Sequence, residues 1–144
     1  MASRPSEEDL IARYFRPLAG EGACDLLDDA ASIRPPPGCD LVLTTDALVS
    51  SVHFFPDDPA DAIAWKALAV NLSDLAAKGA TPLGFLLSLA LPQDWTEDWL
   101  ATFCEGLRQC SMAGACELLG GDTVMTPGPL TLSVTAIGTV PEGG

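Results

Sequence analysis

Residues 61–92 read DAIAWKALAVNLSDLAAKGATPLGFLLSLALP. The first part is dense in Ala and Leu, begins on Asp61 and stops at Gly79, so it predicts a helix over 61–79. Its apolar residues run nearly all the way round, which predicts burial on most faces. The second part, PLGFLLSLALP at 82–92, is a continuous apolar run between prolines and reads as a central strand. A buried helix turning directly into a buried strand predicts a sheet with helices packed on it.

The flanking segments extend this plan. Upstream, residues 40–46 are rich in Leu, Val and Thr and read as a strand, with LVSSVHF at 48–54 as a further one. DAASI at 29–33 is a short strand stopped by RPPPG at 34–38. An N-terminal helical segment within 1–20 starts at Ser6-Glu7-Glu8-Asp9, carries Leu10, Ile11, Tyr14, Phe15 and Leu18 at helical spacing, and closes at Gly20 and Gly22. Downstream, Trp95-Thr96-Glu97 opens a second long helix that ends near Ala113-Gly114. CELLGGD then gives a strand running into a glycine pair, and PLTLSVTAIGTV at 129–140 alternates as a strand should. The expected class is α/β (α+β): one domain over 1–144, a mixed sheet with helices on one face. VPEGG at 140–144 reads as a loop, as though cut at a domain boundary.

Composition narrows the partners. Twenty acids against seven bases give a formal charge of −13. Nucleic acid and anionic membranes are repelled by such a chain. A phosphorylated ligand is not, provided divalent cations stand between the two negative partners. The five cysteines (Cys24, Cys39, Cys104, Cys110, Cys116) form no C-x-x-C pattern, and the N-terminus carries no secretory leader, so reduced thiols in a cytoplasm are expected. Cysteine spacing and a single histidine argue against zinc. No apolar run is long enough to cross a bilayer.

The acids that interrupt apolar segments are the chemical signal. Asp28 and Asp29 precede a strand, Thr44-Thr45-Asp46 ends one, Asp74 sits inside an oily helix, and Asp122 follows Gly120-Gly121. Each has a plain explanation: Asp28 or Asp29 caps a turn, Asp74 pairs with Lys78 at i,i+4, and Asp122 is a turn residue. Gathered at one mouth of a sheet, hard oxygen donors of this kind select magnesium or calcium. A carboxylate inside an apolar helix is costly without a partner, which favours the gathered arrangement. Glycines at 120–121 let backbone N–H groups approach a phosphate, or else make a tight turn. Asn71 shares a helical face with Asp74, and Lys66 lies two turns earlier on that stripe. His53 faces a ligand or is a packed surface residue.

Taken in order, LLDDAASI, TTDALVSSVHF, WKALAVNLSDLAAKGATP, LSLALP and LLGGDTV…GPLTLSVTAIGTVP resemble the thiamine-monophosphate kinase family, within the aminoimidazole-ribonucleotide-synthetase-like (PurM-like) superfamily. The resemblance spans about residues 8–142. It implies transfer of the γ-phosphate of ATP onto thiamine monophosphate, giving thiamine diphosphate, with several magnesium ions. It also implies roles: Asp29, Thr44, Thr45, Asp46, Asp74 and Asp122 toward metal, Gly121 and Asp122 toward ATP, and His53 toward thiamine monophosphate. No protein nucleophile is implied, because the acceptor phosphate is already ionised and the obstacle is anion repulsion. The family further implies a homodimer whose sheet extends across a two-fold axis, and a C-terminal domain that residues 1–144 do not contain. The chain departs from the family at Leu27 (usually Gly), at Lys78 (typically Met), and in lacking the Tyr before the glycine pair and the Arg after GGDT. Two other readings remain: another ATP-dependent enzyme of the superfamily, and a non-catalytic dimerisation or nucleotide-binding module.

Overall fold

A computed structural model describes residues 14–15 and 31–143. The chain runs β1 (Cys39–Val49), α1 (Ala60–Ala77), β2 (Thr81–Leu91), α2 (Glu97–Gly114), β3 (Glu117–Met125) and β4 (Thr131–Pro141). The four strands form one sheet in the order β1-β4-β2-β3. β4 pairs antiparallel with both β1 and β2, while β2 and β3 pair parallel, joined through α2. The sheet is therefore mixed, as expected, and the crossover helix is what permits the parallel pair.

Both helices lie on one face. Along β4 the residues alternate between half-buried and buried, and the buried set Leu132, Val134, Ala136, Val140 faces the helices. Phe85, Leu87, Leu89 and Leu91 of β2 extend that row, and Ile63, Ala67, Leu68, Leu75, Leu100, Phe103 and Leu107 close over it. Helix α2 begins at Thr96, whose Oγ1 accepts from the Trp99 N–H at 3.1 Å, and ends with Ala115 in the left-handed region. The two helices cross closely because Gly106 has no side chain: a Cβ there would lie 2.3 Å from the Asp61 carbonyl oxygen.

Several expectations need adjustment. Helix α1 buries one face rather than most: Trp65 is 43% and Val70 38% exposed. It packs on a single sheet with α2 beside it, so its outer side meets no further layer. Residues 50–54 are a turn, not a strand. Ser50 makes an isolated bridge with Phe54, and Val52 and His53 both donate their N–H to the Val49 carbonyl. Residues 31–33 belong to no strand. Gly120-Gly121 lies inside β3, not in a turn. The helix start at Ser6 and the pair Asp28-Asp29 lie outside the described residues.

Candidate functional site

Strand alternation sorts the candidate residues by face. Thr44 pairs with Ala136 and Asp46 with Val134, both on the helix side of the sheet. Thr45 pairs with Thr135 on the opposite, open side, where the Thr135 hydroxyl donates to Thr45 Oγ1 at 2.9 Å. Asp122 belongs to that open side as well, in the row Ala47, Ser133, Ser88, Asp122. It stands on the far edge strand, three strand spacings from β1, roughly 14 Å.

The structure thus brings Thr44, Asp46 and Asp74 to one corner between the edge strand β1 and helix α1. Thr44 Oγ1 donates to Asp74 Oδ2 at 3.4 Å. That is longer than the roughly 2.5–3.0 Å of an ordinary O–H···O bond. Asp74 is exposed and meets Thr44 rather than Lys78. Asp46 Oδ2 is buried and accepts no hydrogen bond. On α1, Asn71 is completely buried; its Nδ2 donates to the Ala67 carbonyl at 3.0 Å, but its Oδ1 has no partner. Two buried acceptor oxygens without donors are costly, about 1–3 kcal/mol each, unless something else satisfies them. At the corner, Thr44, Asp46 and Asp74 are oxygen donors of the kind a hard cation takes. Three His, Cys, Asp or Glu side chains are nowhere gathered within reach of one ion among the described residues. The corner's oxygens are of the type that magnesium takes, but too few to hold an ion by themselves.

Gly121 has a structural role of its own. Its φ is +155°, and a Cβ would fall 1.7 Å from the Leu87 carbonyl oxygen. The β2–β3 register shifts just before it: Phe85 pairs with Leu118, but Leu86 pairs with Gly120, leaving Leu119 as the extra residue of a bulge. The glycine pair therefore sits where a bulged edge strand crowds its neighbour.

His53 is held by its surroundings. Its Nδ1 accepts from the Val49 N–H at 2.9 Å, its own N–H donates to the Val49 carbonyl at 3.0 Å, and its carbonyl accepts from Lys66 Nζ. Ser51 beside it has φ +69°. The adjacent Phe54 is one wall of a cavity of about 410 Å³ at the carboxyl ends of β1 and β2, shared with Ile63, Trp95 and Trp99. Sequence spacing puts Lys66 on the Asp74 stripe; that its ammonium reaches back to the 50–54 turn is visible only in three dimensions.

Burial pushes the Cys104 and Cys116 thiols up to about 12, and Cys110 is raised by the same cause. Cys39, Cys104, Cys110 and Cys116 are all free. Among the described residues no helix is long and apolar enough to cross a membrane.

Residues 27–140 match the family described as AIR synthase related protein, N-terminal domain. A thiamine-monophosphate kinase of Caulobacter vibrioides is 47% identical over 144 residues, covering 99% of this chain and 41% of that protein. The crystal structure of a thiamine-monophosphate kinase from Stenotrophomonas maltophilia superposes with a TM-score of 0.80 at 44% identity, over 94% of this chain and 43% of that one. AaThiL complexed with AMPPCP and TMP superposes with a TM-score of 0.70 at 29% identity, over 94% of this chain and 40% of that one. The chain spans about two fifths of the length of these relatives. With the match running through the sheet, both helices and the Thr44–Asp74 corner, this chain belongs to the AIR synthase related protein N-terminal domain family.

Proposed function

We propose that this chain is the ATP- and magnesium-binding N-terminal part of a thiamine-monophosphate kinase. It would act with residues beyond this stretch to transfer the γ-phosphate of ATP to thiamine monophosphate. The observation that carries the reading is the unpaired, buried Asp46 Oδ2 on the same face as the Thr44–Asp74 contact. An acidic corner short of donors is suited to a divalent cation that brings a polyphosphate with it. The resemblance of AaThiL, which binds AMPPCP and TMP, supports the choice of ligands.

Bound magnesium would screen the charge between donor and acceptor phosphates and stabilise the transferring group. The chain's own residues do the holding. Asp46, Asp74 and the Thr44 hydroxyl would take the metal at the α1–β1 corner, and Asp29 would join them. Gly121 would offer its backbone to ATP phosphate. On the open face, Thr45 would hold metal at the β1 edge, and Asp122 would hold metal or nucleotide near the opposite edge. His53 would meet thiamine monophosphate. No residue is asked to act as nucleophile or general base, so the protein's contribution is positioning and electrostatics.

Residues 1–144 are read as a single domain, incomplete as a catalyst, acting in a cytoplasm. The open face of the sheet carries Leu41 at 41% and Leu43 at 63% exposure beside Thr45, Thr135 and Ile137. An apolar sheet face of this kind is suited to a second copy of the chain, hence a homodimer. Calorimetric titration with a non-hydrolysable ATP analogue, with and without magnesium, tests the proposal. Binding that needs magnesium is expected; equal binding without it, or none with it, rejects the reading.

A further inference from the structure

We propose that Lys66 and the Val49 amide are positioning groups for His53, which together present its Nε2–H outward as a neutral donor to an anionic oxygen of the bound phosphate ester. The ligand in this statement rests on the function proposed above. The clamp rests on the structure alone.

The Val49 N–H points at Nδ1 at 2.9 Å. A donor facing Nδ1 requires that nitrogen to be unprotonated, because a proton there would set two N–H groups against each other. The neutral ring then carries its proton on Nε2. The backbone is tied on both sides: the His53 N–H goes to the Val49 carbonyl, and the His53 carbonyl takes the Lys66 ammonium. One anchor is the end of β1 and the other lies in the second turn of α1, so the turn is strung between the two elements that also carry Thr44, Asp46 and Asp74. The Ser51 N–H bonds to the Phe54 carbonyl at 2.8 Å, with Ser51 in a left-handed conformation that a serine rarely adopts. Such a conformation persists where the surroundings over-determine it. The ring itself is exposed. A fixed, uncharged N–H donor suits a phosphate oxygen, and it removes His53 from proton transfer through Nδ1. Lys66 acts on the ligand only through this turn. The same turn carries Phe54 into the cavity wall, so losing the clamp disturbs both.

His53 is the single histidine of the chain, so its ring nitrogens give unambiguous nuclear magnetic resonance signals. In the wild type we expect the neutral ring to be the Nε2–H tautomer, with a scalar coupling across the Val49 N–H···Nδ1 bond. Lys66→Met should move the ring toward the tautomer mixture of free imidazole and weaken thiamine monophosphate binding about tenfold, the loss of a charge-assisted hydrogen bond. Lys66→Arg should restore both. Lys66 is exposed, so the core survives either change. The wild-type coupling is in any case independent of the variants. A wild-type ring without that coupling, or a Lys66→Met ring identical to wild type, overturns the clamp and leaves the substrate reading intact. A locked ring whose Nε2–H signal is unmoved by thiamine monophosphate, while calorimetry still registers its binding, overturns the ligand half and leaves the substrate reading intact; no binding at all overturns the substrate reading.

Discussion

Thr44 Oγ1 and Asp74 Oδ2 stand 3.4 Å apart, joining an edge strand to the exposed side of a helix thirty residues away. The contact is too long to be an end in itself. Asp46 Oδ2, two residues further along the same strand face, is buried with no donor. A hydroxyl, an exposed carboxylate and a partly buried carboxylate thus stand on adjoining elements; on the function proposed above, a divalent cation would be the partner they share.

Asp74→Asn should leave the fold intact, since Asp74 is exposed and surface changes commonly stay within about 0.5 kcal/mol. It should nevertheless weaken magnesium-dependent binding of a non-hydrolysable ATP analogue by at least tenfold, roughly 1.4 kcal/mol. Calorimetry on both proteins checks this. Equal affinities would remove Asp74 from the site.

Magnesium together with a non-hydrolysable ATP analogue should stabilise the wild type more than the analogue does without magnesium. At a concentration a hundred times the dissociation constant the gain is about 2.7 kcal/mol. For a chain of this size that raises the melting temperature by several degrees, on the order of 5–10 °C. Asp46→Ala should abolish the magnesium response, because it removes the buried oxygen that lacks a donor. A wild-type melting curve indifferent to magnesium in the presence of the analogue would remove the metal from the corner.

Gly121→Ala should be severely destabilising, more than about 3 kcal/mol, because its Cβ would lie 1.7 Å from the Leu87 carbonyl oxygen. Urea denaturation measures this without any ligand. The result separates the glycine's role in strand pairing from any role at a phosphate: a stable Gly121→Ala protein would mean that β3 can move away from β2.

Alkaline pH should weaken the fold through the buried thiols. Cys104 and Cys116 are raised from 9.0 to about 12 by burial. Above pH 9 the unfolded chain loses these protons while the folded chain keeps them, so stability falls as pH rises from about 9 to about 12. The slope approaches about 1.4 kcal/mol per pH unit for each thiol. Below pH 9 neither thiol contributes a slope. Urea midpoints from pH 8 to 10.5 check the sign, and Cys104→Ala should flatten the curve.

Leu43→Asp tests the open sheet face. Leu43 is 63% exposed on β1, so a monomer tolerates the change with little loss of stability. A dimer joined through this face should dissociate, with sedimentation falling from twice the chain mass toward 15.0 kDa. Wild-type protein that sediments at the monomer mass at high concentration would reject the homodimer.

Much of the architecture is legible in the letters. PLGFLLSLALP is apolar at every second position and more, and it becomes the internal strand β2, flanked on both sides. Thr96 caps α2 as its position before Glu97 suggests. The errors have local causes. LVSSVHF carries a strand composition, but Ser51 takes a left-handed conformation and turns the chain back on Val49. Helix α1 is apolar enough to be buried all round, yet a single sheet and one neighbouring helix cover only one side, leaving Trp65 and Val70 exposed.

From its letters alone this chain declares a mixed sheet with helices on one face, a strongly acidic character, and a set of oxygen-bearing side chains at segment ends. These follow from periodicity, propensity and charge, which act over a few residues or over the whole chain. Which oxygens share a corner is a different matter. Thr44 and Thr45 are adjacent letters, yet the pleat sends one toward Asp74 and the other toward Thr135 on the opposite face. Register between strands, and the height at which a helix crosses them, are set by packing across many residues at once. Only the folded chain could bring Asp74 to Thr44, put Asp122 across the sheet from both, and hand the His53 carbonyl to Lys66.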